Sequence, residues 1–342
     1  MPQRIKFAII GCGKIAQRHA AIIHQLGKLE AVADIIPQKA EALAQQYQAK
    51  AFYSFAHLLE ALTDDTVLVI CTPNGYHATQ AEQALKKGMH VICEKPLCIN
   101  SQEGLSLIAL AEKQQRLLIV VKQNRFNPPV QWVKQLLDQQ QLGTVFAVQI
   151  NGFWNRTADY YKDDWHGTHQ LDGGTLFTQF SHFLDVVCWF LGKPDVLSAV
   201  TGNFTHNQLI EFEDTGMVQL QFPNGALGSL QYTVSAYEQN MEGSITLFGT
   251  MGTVKIGGAY LNNISYAAIE GLAIPPLPEG NEANAYPGGV QGSMNNHRLV
   301  YENAIAVLRG EAKPVTTAKE ALETVQLIEA IYEAAARSVA TA

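Results

Sequence analysis

The sequence lacks the features of a membrane or exported protein. Among its 342 residues no apolar run approaches the roughly 20 residues that a membrane-spanning helix needs. The first residues, MPQRIKFAIIGCGK, contain only a short apolar run before a glycine turn, and no longer apolar region or cleavage site of a secretory signal follows. We therefore expect a cytoplasmic protein.

Cysteine and clustered basic residues are also scarce. The five cysteines form no CxxC pair, and the plain interpretation is reduced, buried thiols. With 24 basic against 31 acidic residues and a net charge of −7, the chain lacks the basic stripe of a nucleic-acid-binding protein. A small anionic ligand stays open, because local charge in a cleft decides its binding.

The first third of the chain alternates apolar runs with helix-type segments. The runs are IKFAII, LEAVADI, TVLVICT, HVICEK and LLIVVKQN. Such continuous runs are typical of parallel strands that are covered on both faces. The length favours two domains. We predict an α/β fold in which residues 1–122 form a Rossmann domain with a parallel sheet.

The first run leads into a turn with the spacing of a dinucleotide-binding site. In Gly11-Cys-Gly13-Lys-Ile-Ala16, the first glycine permits a tight turn and the second lets a pyrophosphate approach the backbone. Asp34 ends the second run, where a carboxylate accepts from ribose hydroxyls. The alternative is a glycine turn that only packs. No arginine follows Asp34, so the pattern favours NAD over NADP, although Lys39 lies close by.

After QNRFNPP the pattern changes to the alternation of antiparallel strands. Residues 215–236 read as a hairpin with its turn at Pro223, Asn224 and Gly225. Helical patterns cover 130–141, 180–191, about 294–309 and 317–338. We predict that residues 123–342 form an α+β domain with a large open antiparallel sheet, for substrate binding and oligomerisation.

Residues 155–185 are dense in aromatic, basic and histidine residues. A loop this long inside a compact domain is more often functional than idle. Its His182 lies on an otherwise apolar helix, where a hydrogen-bonded core histidine is the alternative. None of the ten histidines, His166 and His169 included, has a metal-binding spacing, so we predict no metal site.

Four motifs in order resemble the Gfo/Idh/MocA oxidoreductase family over nearly the whole chain. They are the glycine turn, Thr72-Pro73-Asn74, Glu94-Lys95-Pro96 and DGGTLFTQFSHFLD. The resemblance implies that Lys95 and His182 handle the proton of a sugar hydroxyl beside the nicotinamide, and that the Lys95–Pro96 bond is cis. The predicted cofactor contacts are Gly11, Gly13, Lys14, Ile15, Asp34, Thr72, Asn74, His77, Glu94, Lys95 and Gln123.

The two catalytic roles can be assigned in either order. With an ordinary pKa of about 6.5, His182 is the better base at neutral pH, whereas a lysine near 10.4 needs burial or a neighbouring positive charge. We assign His182 as the general base and Lys95 as the group that orients the substrate oxygen and stabilises its developing charge. The reversed assignment is the alternative.

One motif departs from the family pattern G-G-G-x-x-x-D-x-G-x-H. Thr178 replaces the aspartate and Phe180 replaces the last glycine, which argues against the inositol-type dehydrogenases. The segments KQNRFNPPVQ, YYKDDWHGT, LDGGTLFTQFSHF and GSMNNH resemble the branch that oxidises the 3-hydroxyl of UDP-N-acetylglucosaminuronic acid. That branch supplies a 3-keto sugar to an aminotransferase in bacterial surface-polysaccharide synthesis.

A nucleotide sugar acid needs aromatic faces for its rings and cations for its pyrophosphate or carboxylate. The candidates are Arg156, Tyr160, Tyr161, Lys162, Trp165, His166, Thr178, Gln179 and Arg298. Two other functions stay open: an NAD-dependent dehydrogenase of a free sugar or inositol, and an NAD-binding regulator without chemistry. The sheet face that bears MVQLQF and LGSLQY predicts a homodimer or homotetramer.

Overall fold

The computed structural model describes residues 4–163, 165–276, 280, 283–285 and 291–340. The chain divides into two units. The first contains Met1–Lys122 and His297–Leu322, and the second contains Gln123–Asn296 and Glu323–Ala342. The functional division into an NAD-binding domain over 1–122 and a substrate domain over 123–342 stays a prediction.

A six-stranded parallel sheet forms the centre of the first unit, in the strand order β3-β2-β1-β4-β5-β6. The strands are β1 Lys6–Ile10, β2 Lys28–Ala33, β3 Lys50–Phe52, β4 Thr66–Ile70, β5 His90–Cys93 and β6 Leu118–Val120. The helices between them are α1 Lys14–Leu26, α2 Pro37–Tyr47, α3 Phe55–Ala61, α4 His77–Lys86 and α5 Ser101–Gln114. The predicted parallel sheet is confirmed.

The strand order reverses at β1 and β4, and ligands of open α/β sheets bind at such a reversal, beyond the carboxyl ends of the strands. Gly11, Thr72 and Lys95 follow the carboxyl ends of β1, β4 and β5. The sequence pattern suggested that Lys95 follows the fourth strand of the chain, but it follows the fifth. The missed strand is β3, which has only three residues and no continuous apolar run.

The chain returns to the first unit with helix α8, His297–Leu308. Tyr301 of this helix packs edge-on against Phe7 of β1, with ring centroids 5.7 Å apart. Its hydroxyl lies 2.8 Å from Nδ1 of His19 on α1. α8 thus packs on the sheet and on α1, although about 180 residues separate it from the last strand of that sheet.

The second unit is built on a seven-stranded sheet in the order β13-β12-β11-β7-β10-β9-β8. Its strands are β7 Val145–Phe153, β8 Asp195–Gly202, β9 Thr215–Gln221, β10 Leu227–Thr233, β11 Glu242–Gly249, β12 Gly252–Gly257 and β13 Asn263–Ile269, and β14 Ala283–Ala285 pairs separately with β15 Gln291–Met294. The predicted hairpin is β9 and β10. The sheet is mixed, because β7 and β10 are parallel while its other pairs are antiparallel.

One face of this sheet is buried by aromatic residues of the second unit. Phe180 and Phe183 pack on Trp154, with centroids 5.1 and 5.6 Å apart. The helices here are α6 Pro128–Asp138, α7 Ser181–Leu191 and most of α9, Ala318–Ala340. The opposite face is exposed in this chain, and Met217 and Leu227 are both more than half exposed there.

In the part of the chain that the structure describes, no helix combines the length and the apolar character of a membrane span.

Candidate active site

The turn after β1 has the geometry that a dinucleotide phosphate needs. Gly11 has φ +86°, and a Cβ on it would lie 2.7 Å from the carbonyl carbon of Cys71, so only glycine fits. A Cβ on Gly13 would meet no heavy atom within 4 Å, which leaves space above the first turn of α1. Lys14 and Ile15 begin that helix, and its backbone N–H groups suit a phosphate.

Asp34 connects the end of β2 to this turn. Its Oδ2 accepts a hydrogen bond of 2.7 Å from the N–H of Cys12, and its Oδ1 accepts one of 2.8 Å from the N–H of Ile36. These bonds hold the half-buried carboxylate beside the glycine turn, where an adenosine ribose is expected. The described residues of this turn therefore fit NAD.

The loop after β4 contacts the imidazole of His77. Thr72 donates its hydroxyl to Oε1 of Gln80, and Asn74 is buried in the 3-10 turn Asn74–Tyr76. The imidazole of His77 lies with Nδ1 2.6 Å from the carbonyl oxygen of Pro96 and Nε2 2.8 Å from that of Thr72. Both ring nitrogens of His77 are thus directed at the backbone, and any contribution of this ring to cofactor binding acts through the loops.

Lys95 follows β5 and is half-buried. The neighbouring carboxylate of Glu94 is buried, and it accepts 2.7 Å from Nε2 of His19 and 3.2 Å from the N–H of Lys95. Glu94 thus contacts the backbone of Lys95, and both residues belong to the first unit. The Lys95–Pro96 bond is cis, as the family resemblance implied.

His182 is the second residue of α7 and is buried. A π-helical turn, Leu176–Phe180, precedes it and was not predicted. Phe180 at the end of that turn packs on Trp154, so the aromatic core of the second unit fixes the start of the helix. His182 belongs to the second unit and Lys95 to the first. Their joint action on one hydroxyl stays a prediction.

Three of the predicted substrate residues form one hydrogen-bonded group. The buried guanidinium of Arg156 donates through Nε to Oε1 of Gln179 at 2.7 Å, and Nε2 of Gln179 lies 2.8 Å from the hydroxyl of Tyr160. The guanidinium also stacks over the Tyr160 ring at 5.3 Å. Arginine in such a frame is held in one orientation, which suits the binding of a carboxylate or phosphate.

Trp165 and His166 continue this group with ring contacts. Their centroids lie 3.6 Å apart, and the ring of His166 lies 4.3 Å from that of Tyr160. Nδ1 of His166 faces the carboxylate of Asp163 at 2.7 Å. Although burial opposes it, the hydrogen bond with His166 holds the pKa of Asp163 below its usual range. The structure thus brings four of the predicted aromatic and basic residues together.

The Thr178 hydroxyl is bound to a carboxylate that the sequence patterns did not reveal. Thr178 donates to Oδ1 of Asp172, and Oδ2 of Asp172 accepts 2.8 Å from the N–H of Gly167. Asp172 stands where the family pattern has its first glycine. Reading DGG against the expected GGG would have found it. An acidic group is therefore present in this segment, six residues before the usual position.

A second buried carboxyl supports the same segment. Oε1 of Glu213 accepts from the hydroxyls of Tyr232 at 3.0 Å and Tyr332 at 2.8 Å. The Tyr332 oxygen in turn accepts 3.1 Å from the N–H of Leu176, where the π-helical turn begins. Burial raises the pKa of Glu213 to about 7. No local sequence pattern links these residues, because α9 supplies Tyr332 from the far end of the chain.

Two predicted site residues belong to a different unit from the other residues of their predicted site. Arg298 is half exposed on α8 of the first unit, where it donates to Glu302 at 2.7 Å and to Gln25 at 2.6 Å. Gln123 lies in the second unit, apart from the other predicted cofactor contacts in sequence, and its Oε1 accepts from the N–H of Asn296. The substrate role of Arg298 and the cofactor role of Gln123 stay predictions.

Two family models cover most of the sequence. The NAD-binding Rossmann fold of an oxidoreductase family matches residues 5–122, and the C-terminal alpha/beta domain of the same family matches residues 134–341. The chain belongs to the Gfo/Idh/MocA oxidoreductase family. It is an NAD-dependent sugar oxidoreductase that acts on CH–OH groups.

Two solved structures resemble this chain over nearly its whole length. The WlbA dehydrogenase from Bordetella pertussis, in complex with NADH and UDP-GlcNAcA, is 33% identical with a TM-score of 0.87 and covers 98% of both chains. The WlbA dehydrogenase from Chromobacterium violaceum, with the same two ligands, is 34% identical with a TM-score of 0.87 and covers 99% of this chain and 95% of its own.

A relative with a different substrate matches less of the sequence. The inositol 2-dehydrogenase of Rhizobium meliloti (strain 1021) is 25% identical over 284 residues, which is 80% of this chain and 82% of its own length. Sugar and polyol dehydrogenation is thus common to these relatives, whereas the substrate differs among them.

Proposed function

We propose that the protein oxidises the 3-hydroxyl of UDP-N-acetylglucosaminuronic acid to the 3-keto sugar with NAD. The observation that carries this proposal is the likeness to the two WlbA dehydrogenases, at 33% and 34% identity over at least 95% of each chain. The held guanidinium of Arg156 supports it, because an acidic nucleotide sugar needs a cation in a fixed orientation.

In the proposed reaction NAD, when bound, accepts the hydride from the ring carbon. His182 takes the hydroxyl proton as general base, and Lys95 donates to the same oxygen and stabilises its developing negative charge. Arg156 binds the carboxylate or pyrophosphate, and the rings of Tyr160, Trp165 and His166 offer faces to the sugar or the uracil. Thr178 offers an oxygen whose proton is held by Asp172.

The runner-up is an NAD-dependent dehydrogenase of a free sugar or inositol. The relative from Rhizobium meliloti favours it. The aromatic and basic group around Arg156 argues against it, since a small neutral polyol has no use for a fixed cation beside stacked rings. In both functions the chemistry at the hydroxyl is the same, so the substrate alone decides between them.

Substrate specificity is tested by following NADH formation with UDP-N-acetylglucosaminuronic acid, UDP-N-acetylglucosamine and myo-inositol. We expect kcat/KM for the acid to exceed that for the neutral UDP-sugar by about 10²-fold, because a charge-assisted hydrogen bond to Arg156 is lost with the neutral sugar. Arg156→Gln should lower this preference, while Lys193→Gln, which changes an exposed cation of the same unit, should keep it. If the protein oxidises inositol but no UDP-sugar, it is instead an NAD-dependent dehydrogenase of a free sugar or inositol.

We further propose that the protein is a cytoplasmic homodimer or homotetramer that serves surface-polysaccharide synthesis. Leu197, Met217 and Leu227 are each more than half exposed on the open face of the second sheet, and a second copy would bury them. All five cysteines are buried, which fits reduced thiols in a reducing compartment. Light scattering at micromolar concentration tests the assembly: Met217→Lys should dissociate it, and a monomeric parent protein rules it out.

A further inference from the structure

Three buried histidines of the first unit surround the segment that carries Lys95. His19 lies on α1, His77 begins α4 and His297 begins α8. All three residues are at most 3% exposed. Histidine is only moderately buried in most proteins, so three buried rings at one strand end call for a physical reason. Their hydrogen bonds supply it.

The rings of His19 and His297 hold the carboxylate of Glu94. Nε2 of His19 lies 2.7 Å from Oε1 of Glu94, and Nε2 of His297 lies 3.5 Å from the same oxygen. Nη1 of Arg18 lies 3.2 Å from Nδ1 of His297. Because a guanidinium only donates, Nδ1 of His297 is the acceptor and the proton of the neutral ring is on Nε2, facing Glu94.

The same reasoning fixes the ring of His19. An ionised carboxylate only accepts, so Nε2 of His19 carries a proton, and Nδ1 of the same ring lies 2.8 Å from the hydroxyl of Tyr301. Burial alone would raise the pKa of Glu94, but the N–H groups of His19 and His297 outweigh it and hold that pKa well below its usual range. Burial lowers the pKa of His297 to about 4, so this ring is neutral at pH 7.

Two imidazoles and a carboxylate are also a common set of metal ligands, and these three are the only such group among the residues that the structure describes. The hydrogen-bond directions argue against a metal. Both Nε2 atoms carry protons that point at Glu94, and a divalent cation would need both to be bare. The guanidinium of Arg18 beside His297 would also repel it.

The ring of His77 contacts Pro96, the residue that follows Lys95. Nδ1 of His77 contacts the carbonyl oxygen of Pro96 at 2.6 Å, and Nε2 contacts that of Thr72 at 2.8 Å. The residue before Lys95 is thus held by His19 and His297, and the residue after it by His77. Glu94 also accepts from the N–H of Lys95 itself.

We propose that His19, His77 and His297 are positioning residues that fix Glu94 and Pro96 and thereby place the amine of Lys95. This proposal rests on the proposed catalytic role of Lys95 and not on the identity of the sugar. His19 and His297 have a second effect, since they keep the Glu94 carboxylate directed at their own N–H groups. Without them this carboxylate becomes an acceptor for the ammonium of the adjacent residue.

The proposal predicts the direction in which the pKa of the Lys95 amine changes when Glu94 or its partners are replaced. An anion that pairs with an ammonium raises the pKa of the amine, by about one unit or more at short range. His297→Leu, which releases Glu94, should therefore raise the pKa of Lys95. Glu94→Gln, which removes the anion, should lower it. Cys71, His77, Cys93 and Tyr301 also interact with the charge of Glu94, and Arg18 faces His297. Both variants leave these five residues in place.

The experiment is competitive labelling of lysines with acetic anhydride over a range of pH, with the reactivity of Lys95 read by peptide mass spectrometry. We expect the Lys95 profile of His297→Leu to move about one pH unit upward, which is a roughly tenfold lower reactivity at pH 8. His297→Gln keeps a side-chain N–H donor for Glu94 and should restore the parent profile. His57→Gln, an exposed histidine of the same unit, is the matched control.

The activity measurement separates positioning from general damage. kcat of His297→Leu should fall by about 10- to 100-fold while NAD affinity and the melting temperature stay near those of His57→Gln. Unchanged Lys95 profiles in His297→Leu, or shifts of the same sign in His297→Leu and Glu94→Gln, overturn the proposal. If His297→Leu does not fold, His19→Leu, which also removes an N–H donor from Glu94, gives the same comparison against Glu94→Gln. The labelling needs no substrate, so it stays informative if UDP-N-acetylglucosaminuronic acid is not turned over.

Discussion

The two units hold their polar site residues in different ways. In the first, Asp34 and Glu94 follow the ends of strands, and their partners are backbone N–H groups and histidines of the adjoining helices. In the second, Arg156, Asp172 and Glu213 are held by side chains from one long loop, from β10 and from α9. Strand ends of a parallel sheet have a fixed geometry that motifs reveal, whereas a network of loop side chains has no such motif.

The largest test of this comparison removes one catalytic group from each unit. His182→Asn should lower kcat by about 10² to 10⁴ and leave NAD affinity nearly unchanged, because a lost general base affects the transition state only. Lys95→Ala should lower kcat comparably and also weaken NAD. Steady-state kinetics and NAD titration measure both. Parent-like turnover in both variants would remove this pair from the mechanism.

The next test compares the contributions of a buried and an exposed ion pair to stability. Arg125 and Asp185 form a buried bidentate ion pair, with Nε–Oδ2 3.0 Å and Nη2–Oδ1 2.9 Å. Asp185→Asn leaves a buried guanidinium without its counter-charge and should lower the free energy of unfolding by about 3 to 5 kcal/mol. Glu82→Gln, from an exposed pair of the first unit, should cost less than about 1 kcal/mol. Denaturant unfolding measures both, and equal costs would contradict the difference in burial.

Glu213 makes the stability of the second unit depend on pH. Its folded-state pKa, raised by burial to about 7, exceeds the ordinary value of about 4.5. The folded state therefore binds the proton more tightly, and this stabilisation is complete below pH 4.5 and is lost as pH rises through 7. The parent should lose up to about 3 kcal/mol between pH 4.5 and 8 at this group. Glu213→Gln, which mimics the protonated form, should abolish that fall in unfolding measurements, and an identical fall in both proteins would remove Glu213 as its source.

The smallest expected effect tests the first unit. Asp34 faces the site of the ribose, and a carboxylate repels a 2′-phosphate, so NAD should bind at least about tenfold more tightly than NADP. Asp34→Ser should narrow that preference, and Asp64→Ser, an exposed acid of the same unit, should not. Fluorescence titration with both cofactors measures the ratio. Equal affinities in the parent would remove Asp34 from this role.

Much of the first site was accessible to sequence reasoning because each element carries its own signal. The apolar run before Gly11, the acid at Asp34 and the proline after Lys95 all lie at strand ends, and the structure has them there. The strand β3 was missed, since three residues carry too little pattern. In the second unit the hairpin turn at Pro223 was predicted correctly for the same local reason.

What the sequence by itself determined is most of the strands and helices, the dinucleotide turn and the family, because apolar periodicity and turn chemistry act over a few residues. What only the tertiary structure decided is which distant side chains meet. His297 contacts Glu94, and Tyr332 accepts a hydrogen bond from the N–H of Leu176, in each case across more than 150 residues of chain. Asp172 accepts a hydrogen bond from the hydroxyl of Thr178. Such contacts depend on how whole elements pack, because the hydrogen-bonding groups must lie within about 3 Å of each other whatever their distance along the chain.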